Sequence, residues 1–265
     1  MDTEFKERFL KDWNRYFPGA ALPVGFYYSH SADPKCMPKP PKGHRCMIGD
    51  LTKARGGKTV IFNADAIGCG GGKRYCGFAQ KLAPQFEYFL SYGIPGKLEG
   101  ERYKKSPEMV KELMKHQKPS KAPGEYIVFK RWDHMEKDDQ PLVVIFFATP
   151  DVLSGLFTLA NFDEPNPNGV FSPFCAGCAS IVDYPYKELK SSENRAVLGM
   201  FDVSARPSVP STVLTLAVPW PKFVRMVDNM KESFLITKSW NKIKARMKKD
   251  SAKNVLHQSP TMISE

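Results

Sequence analysis

The longest uninterrupted apolar run, Leu142 to Ala148, has the length of a strand. It falls far short of the roughly 18 apolar residues that a membrane-crossing helix needs. No membrane span is expected. Around that run, helical and extended patterns interleave along the whole chain, with no long all-helical or all-strand block. The pattern predicts an α/β or α+β fold: one compact domain over residues 1–240, a mixed sheet with flanking helices, and two halves of weakly similar pattern. A hydrophobic share of 42% and a charged share of 25% are ordinary for a globular chain, which excludes disordered, collagen-like and rod-like readings.

Phe5, Phe9, Leu10, Trp13 and Phe17 recur near helical spacing and predict an amphipathic opening helix ended by Pro18-Gly19. Leu22 to Ser29 reads as a strand, Cys46 to Arg55 as a short helix stopped by Gly56-Gly57, and Lys58 to Asn63 as a strand leading into a glycine loop. Helices are expected around 85–92 and 107–116, with Pro107 suited to a first turn. Lys118 to Gly124, short, polar and rich in Pro and Gly, is the candidate internal boundary. Beyond it, Tyr126–Trp132 and Leu142–Thr149 read as a hairpin. Helices are then expected at 151–162, 180–190 and 221–234, and strands at 197–203 and 212–218.

The 39 basic and 28 acidic residues leave a formal charge of +11. From Lys231 onward there are eight basic residues against three acidic ones, so residues 241–265 read as a basic tail that frays. The rest of the excess is spread over the body as a solvated face, and nucleic acid is not an expected partner. The opening residues alternate charges with aromatics and carry no export signal, which leads to an expected cytoplasmic location. In a reducing compartment, six cysteines are thiols, metal ligands or redox groups rather than structural bridges.

The segment Gly68-Cys-Gly-Gly-Gly-Lys-Arg-Tyr-Cys-Gly-Phe78 sets five glycines around two cysteines. Glycine permits positive φ and close approach of backbone N–H groups to a bound species. The spacing fits neither the P-loop nor the dinucleotide fingerprint. Gly70, Gly71, Gly72, Lys73 and Arg74 are therefore candidates to surround an oxyanion, or a thiolate-ligated cluster whose sulfurs accept hydrogen bonds. A tight turn with two packed thiols is the plain alternative. The second segment, Cys175-Ala-Gly-Cys178, is a C-x-x-C motif whose thiolates can share a metal, and a helix N-terminus there favours the ligating form. It lies too late in the chain, behind a Pro-rich loop, for the thioredoxin arrangement.

These segments predict one metal site in which Cys175 and Cys178 from one half join two of Cys46, Cys69 and Cys76 from the other. An iron–sulfur cluster of the [4Fe-4S] kind is favoured over zinc, because glycine N–H groups suit cluster sulfurs and only His44 lies near these cysteines. Cys36 is expected to be free. Arg206, after the strand leading to Asp202, is a further candidate for anion binding, with an Asp202–Arg206 ion pair as the alternative.

The order Pro23-Val24, Cys46-Met-Ile with Ala54-Arg-Gly-Gly-Lys58, then Cys69-Gly-Gly with Gly77-Phe78, resembles the family known as domain of unknown function 169. Cys178-Ala179 and the stretch from Val218-Pro219 to Phe234 are similar to its later parts, and the resemblance covers most of residues 5–240. It implies an uncharacterised cytoplasmic prokaryotic family, frequent in anaerobes and methanogens, with no assigned reaction. Cys46, Cys69 and Cys178 match its pattern, whereas Cys36, Cys76 and Cys175 look like additions. The functional expectation is a Cys-ligated centre, iron–sulfur first and zinc second, in electron transfer with a redox partner or in sensing a small ligand. The alternative is a metal-free module that binds a small anionic ligand at the glycine-rich loop.

Overall fold

The β-branched and aromatic run at 143–148 becomes a strand with every residue buried. It can be buried on both sides only if the sheet carries helices on both faces. The computed structural model describes residues 1–257. Among them, β1 (Val24–Ser29), β2 (Val60–Phe62), β3 (Tyr126–Arg131), β4 (Val143–Ala148), β5 (Val170–Phe171), β6 (Ala196–Gly199) and β7 (Leu214–Pro219) form one sheet. Its order is β2-β3-β1-β4-β7-β6-β5. Neighbours are antiparallel except the parallel β5–β6 pair, so the sheet is mixed and open. The fold is α+β.

The helices are α1 (Thr3–Tyr16), α2 (Met47–Arg55), α3 (Gly70–Tyr75), α4 (Phe86–Phe89), α5 (Pro107–His116), α6 (Pro150–Ala160), α7 (Tyr184–Glu188), α8 (Trp220–Asn229) and α9 (Lys238–His257). Alternate residues of β4 feed two separate cores. Val143, Ile145 and Phe147 point into a cluster with α2, Tyr75 of α3, and Ile181 and Val182 of a π-helical turn, Ala179–Asp183. Val144, Phe146 and Ala148 point into the opposite cluster, with α1, α6, α8 and α9. Asp2 starts α1 by accepting from the Glu4 amide, and Ser106 starts α5 by accepting from the Met109 amide.

The hairpin expected from 126–132 and 142–149 does not form, because β1 inserts between its arms and pairs with both β3 and β4. Segment 133–141 carries the chain past β1, and the antiparallel pairing of each arm is satisfied by β1 instead of the other arm. Residues 118–124 are fixed at both sides of the chain: the Ser120 amide donates to Asp183 at 2.8 Å and the Ala122 amide to the Gly77 carbonyl at 3.1 Å. Chain on either side of this segment shares one sheet. The basic stretch after Trp240 continues α9, with Trp240 and Met247 buried. Residues 258–265 of that stretch lie outside the described residues.

Candidate functional site

The cysteines cluster on the α2/α3 face of the sheet, each at the end of a helical segment. Cys46 is the N-cap of α2, Cys69 the N-cap of α3, Cys76 the C-cap of α3, and Cys178 the residue before the π-helical turn. Cys76 and Cys178 are buried within one apolar cluster, and Cys46, Cys69 and also Cys175 pack at its edge. Burial pushes the Cys178 thiol well above its ordinary range, and the neighbouring Cys76, Cys69, Asp202 and Cys46 add to the shift. Cys76 is raised by burial, then by Cys69 and Asp183. Its Sγ lies 3.5 Å from Met47 Sδ. The thiols are neighbours, yet among the described residues no group of three or more His, Cys, Asp or Glu is arranged around a single ion.

The expected glycine loop is a helix. Gly70, Gly71 and Gly72 open α3 with negative φ, and the positive φ falls at Gly77 (84°). Glycine is a poor helix former, and here close packing overrides propensity. A Cβ on Gly72 would lie 2.7 Å from Ile67 Cγ2, 2.9 Å from Cys69 Sγ and 3.2 Å from Met47 Cγ. A Cβ on Gly71 would touch Cys178 Sγ at 3.9 Å, whereas one on Gly70 would meet open space. Glycine thus brings helical backbone, not a loop, against the sulfurs. The Gly72 N–H donates to Cys69 Sγ at 3.3 Å.

Both cysteines of the C-x-x-C motif meet the apolar cluster, Cys178 buried beside the other thiols and Cys175 at its edge, where burial and then Asp202 and Asp183 push its thiol up to about 12. Between them the Gly177 N–H donates to Asp202 at 2.9 Å. The basic candidates are held elsewhere. Buried Arg74 donates to the carbonyls of Gln80 and Gln117, the latter at 3.2 Å. Arg206 donates to the carbonyls of Pro210, Ser211 and Val213. The Asp202–Arg206 ion pair gives way to these bonds, and Asp202 accepts from Gly177 and Ser204. Lys73 remains half-buried on α3. Cys36, in the 3-10 turn Pro34–Cys36, does not pack on the thiol cluster.

Met47 and Asp183 belong to this region and carried no sequence signal. Met47 reads as an ordinary core residue, and Asp183 as a polar position on a helix. The π-helical turn buries Asp183, which accepts from Ser120 and from Lys187 Nζ at 2.6 Å. Two clefts, of about 440 Å³ beside Tyr92 and Arg102 and about 140 Å³ beside Arg195 and Arg225, include none of the expected site residues.

The family model of domain of unknown function 169, described as "Uncharacterised ArCR", matches residues 20–229. The chain belongs to that family. No curated protein and no solved structure matches it. The span matched to domain of unknown function 169 holds the whole sheet and all six cysteines, while α1 and α9 lie outside it.

Proposed function

We propose that the protein holds an iron–sulfur cluster on Cys46, Cys69, Cys76 and Cys178 and uses it for electron transfer or sensing. The observation that carries this reading is the convergence of these thiols, from three separate segments, onto one buried cluster beneath bare glycine backbone. Thiolates are the ligands such clusters need. The Gly72 N–H on Cys69 is the kind of bond that tunes cluster potential. Ligation would release the thiol protons, because only thiolates bind.

Cys175 packs at the edge of the same apolar cluster, but apart from burial it is Asp202 and Asp183 rather than other thiols that raise it, so it stands outside the proposed ligand set. A cluster is preferred to one zinc ion. A tetrahedral zinc at about 2.3 Å from each sulfur draws four thiolates around a single point, whereas a cluster lets each bind its own iron. The reading of an anion-binding module loses support from Arg74 and Arg206, whose guanidinium groups are bonded to backbone carbonyls.

The test is anaerobic purification followed by iron and acid-labile sulfide analysis and a visible spectrum. The native chain and the Cys36→Ser and Cys175→Ser variants are expected to carry the same broad absorption with stoichiometric iron and sulfide. A Cys69→Ser, Cys178→Ser variant should be colourless. A native protein free of iron and sulfide after anaerobic purification and reconstitution sinks the reading.

A further inference from the structure

The positive charge expected in a fraying tail sits instead on a docked helix. α9 is held along α1: the Trp240 indole donates to the Tyr16 carbonyl at 2.9 Å, and a Cβ on Gly19, just past α1, would stand 2.5 Å from Ser251 Oγ. With Trp240 and Met247 turned inward, the helical period puts the exposed Lys238, Lys242 and Lys249 in one outward row about 16 Å long. On the side of that row towards α1, Lys244 Nζ lies 6.0 Å from the centre of the Tyr16 ring, and the Arg15 guanidinium lies 5.3 Å from the same centre. Lys248 stands one turn beyond Lys244 and Lys11 one turn before Arg15, both exposed. Two helices thus bring seven basic residues to one face. Carboxylates do not neutralise it. Among the described residues, the ion pairs made by α1 and α9 are Arg8–Asp228, Asp12–Lys231 and Arg246–Asp151, and none includes any of the seven. The exposed acids stand at its margins, Glu7 a turn before Lys11 and Asp250 acting on Arg246.

From this geometry we infer that the α1/α9 face binds double-stranded DNA through its phosphates, without reading base sequence. A fixed array of cations with no carboxylate partners is complementary to a continuous row of anions. Lysine supplies point charge on a flexible stem, not the planar bidentate pairing with which arginine reads a guanine edge. A bilayer fits less well, because α9 uses its apolar side on α1 and α6. Among the described residues neither α1 nor α9 exposes a large apolar side chain to enter lipid. The same lack of an exposed aromatic removes the stacking platform that single strands use. A loose tail and a diffuse body argue against nucleic acid; a helix docked on α1 gathers the same charge into one fixed face. α1 and α9 pack on the side of the sheet opposite the thiols, so binding here is independent of the state of the cysteines.

The experiment is fluorescence anisotropy of a labelled DNA duplex of about 20 base pairs, titrated with the full chain in reducing buffer at several salt concentrations. Binding is expected at low salt, with log K falling against log salt at a slope of about −4, as for four or five neutralised phosphates. A Lys242→Gln, Lys248→Gln, Lys249→Gln variant should bind at least about tenfold more weakly, with the slope flattened by about two. A Lys11→Gln, Arg15→Gln variant probes the same face from α1 and should bind at least about threefold more weakly. As the control, Lys35→Gln, Lys39→Gln, Lys42→Gln removes the same charge from the exposed Pro-rich loop and should bind within about twofold of the native chain. No binding of duplex at about 50 mM salt overturns the inference. So does an equal loss in the loop variant, which assigns the effect to net charge and not to this face. Vesicles of phosphatidylglycerol that bind the native chain but not the α9 variant, with duplex left unbound, overturn it in favour of a lipid surface.

Discussion

The backbone N–H of Gly72 points at the sulfur of Cys69, 3.3 Å away, and the missing side chain of Gly72 is what lets it do so. An added methyl would press on Ile67, Cys69 and Met47 at once. The cysteine is both the cap of α3 and a member of the thiol group, so the glycine links a local backbone requirement to the site.

Gly72→Ala is therefore expected to destabilise the protein by about 1–3 kcal/mol, the usual cost of overpacking a filled core. Gly70→Ala is the control, because its Cβ meets open space. It should be neutral or stabilising by up to about 1 kcal/mol, as alanine loses less backbone entropy in a helix. Urea unfolding of both variants checks the pair. Equal effects would show that the glycines are there for chain flexibility and not for contact with the sulfurs.

Much of the fold was legible from periodicity. The α5 bounds, 107–116, follow from Pro107 and the apolar spacing, and α1, β1, β4 and α6 fall within two residues of their expected limits at each end. What could not be read is what depends on partners distant in sequence. Nothing in 126–148 says that β1 will enter between its two strands. β6 was expected to run to Val203, and it stops at Gly199 because Met200 takes a positive φ of 71°. The site was legible as a set of cysteines, but not as a geometry. Propensity argued against a glycine helix, and only the packing of Gly72 against Ile67 and Met47 explains one. The π-helical turn that follows Cys178 and buries Asp183 has no sequence signature at all.

That turn gives a second prediction, at Asp183. Its buried carboxylate holds the Ser120 amide and Lys187 together, and so ties the 118–124 segment to the π-helical turn. Asp183→Ala leaves the Ser120 amide unmet and takes from Lys187 one of its two partners, the other being the Lys118 carbonyl, and should cost about 1–3 kcal/mol. The local readout is hydrogen exchange at the Ser120 amide, which should speed up about tenfold or more beyond any global change. Unchanged protection at Ser120 would mean that the segment is held by its other bonds alone.

A third prediction concerns high pH. Burial alone would lower Lys130, but its hydrogen bonds to Glu136 and Asp139 outweigh that and hold its charge above the usual range. Burial and then the Asp139 carboxylate push the nearby Tyr27 hydroxyl up as well. Both groups keep their proton more tightly when folded than when unfolded. Their contribution is thus complete below the unfolded values, near pH 10, and is lost as pH rises through the folded ones. Stability should therefore change little from pH 8 to 9 on account of these groups and decline above about pH 10. In Lys130→Met the Asp139 carboxylate, whose side chain is 6% exposed, stays buried without its cation. The expected loss at pH 7 is about 3–5 kcal/mol, with a shallower alkaline decline. Thermal unfolding across pH for both proteins tests this.

The last prediction asks where the domain ends. Sequence composition sets the basic stretch after Trp240 apart, but Trp240 itself is 2% exposed and donates its indole N–H to the Tyr16 carbonyl at 2.9 Å. Its ring meets Phe17 and Phe234 edge-on, and it passes so close to Gly155 of α6 that a Cβ there would stand 2.3 Å from Cη2. α9 is thereby pinned to α1 and α6, and Met247 adds a second buried point two turns later. Trp240→Ala should cost about 3–5 kcal/mol, the range for emptying an aromatic site in a core. Gly155→Ala should destabilise through the same contact from the other side, and the double variant should lose less than the sum of the two, because alanine at 155 would enter space vacated by the indole. Additive losses in urea unfolding would show that the two residues act independently and that α9 is held by other contacts.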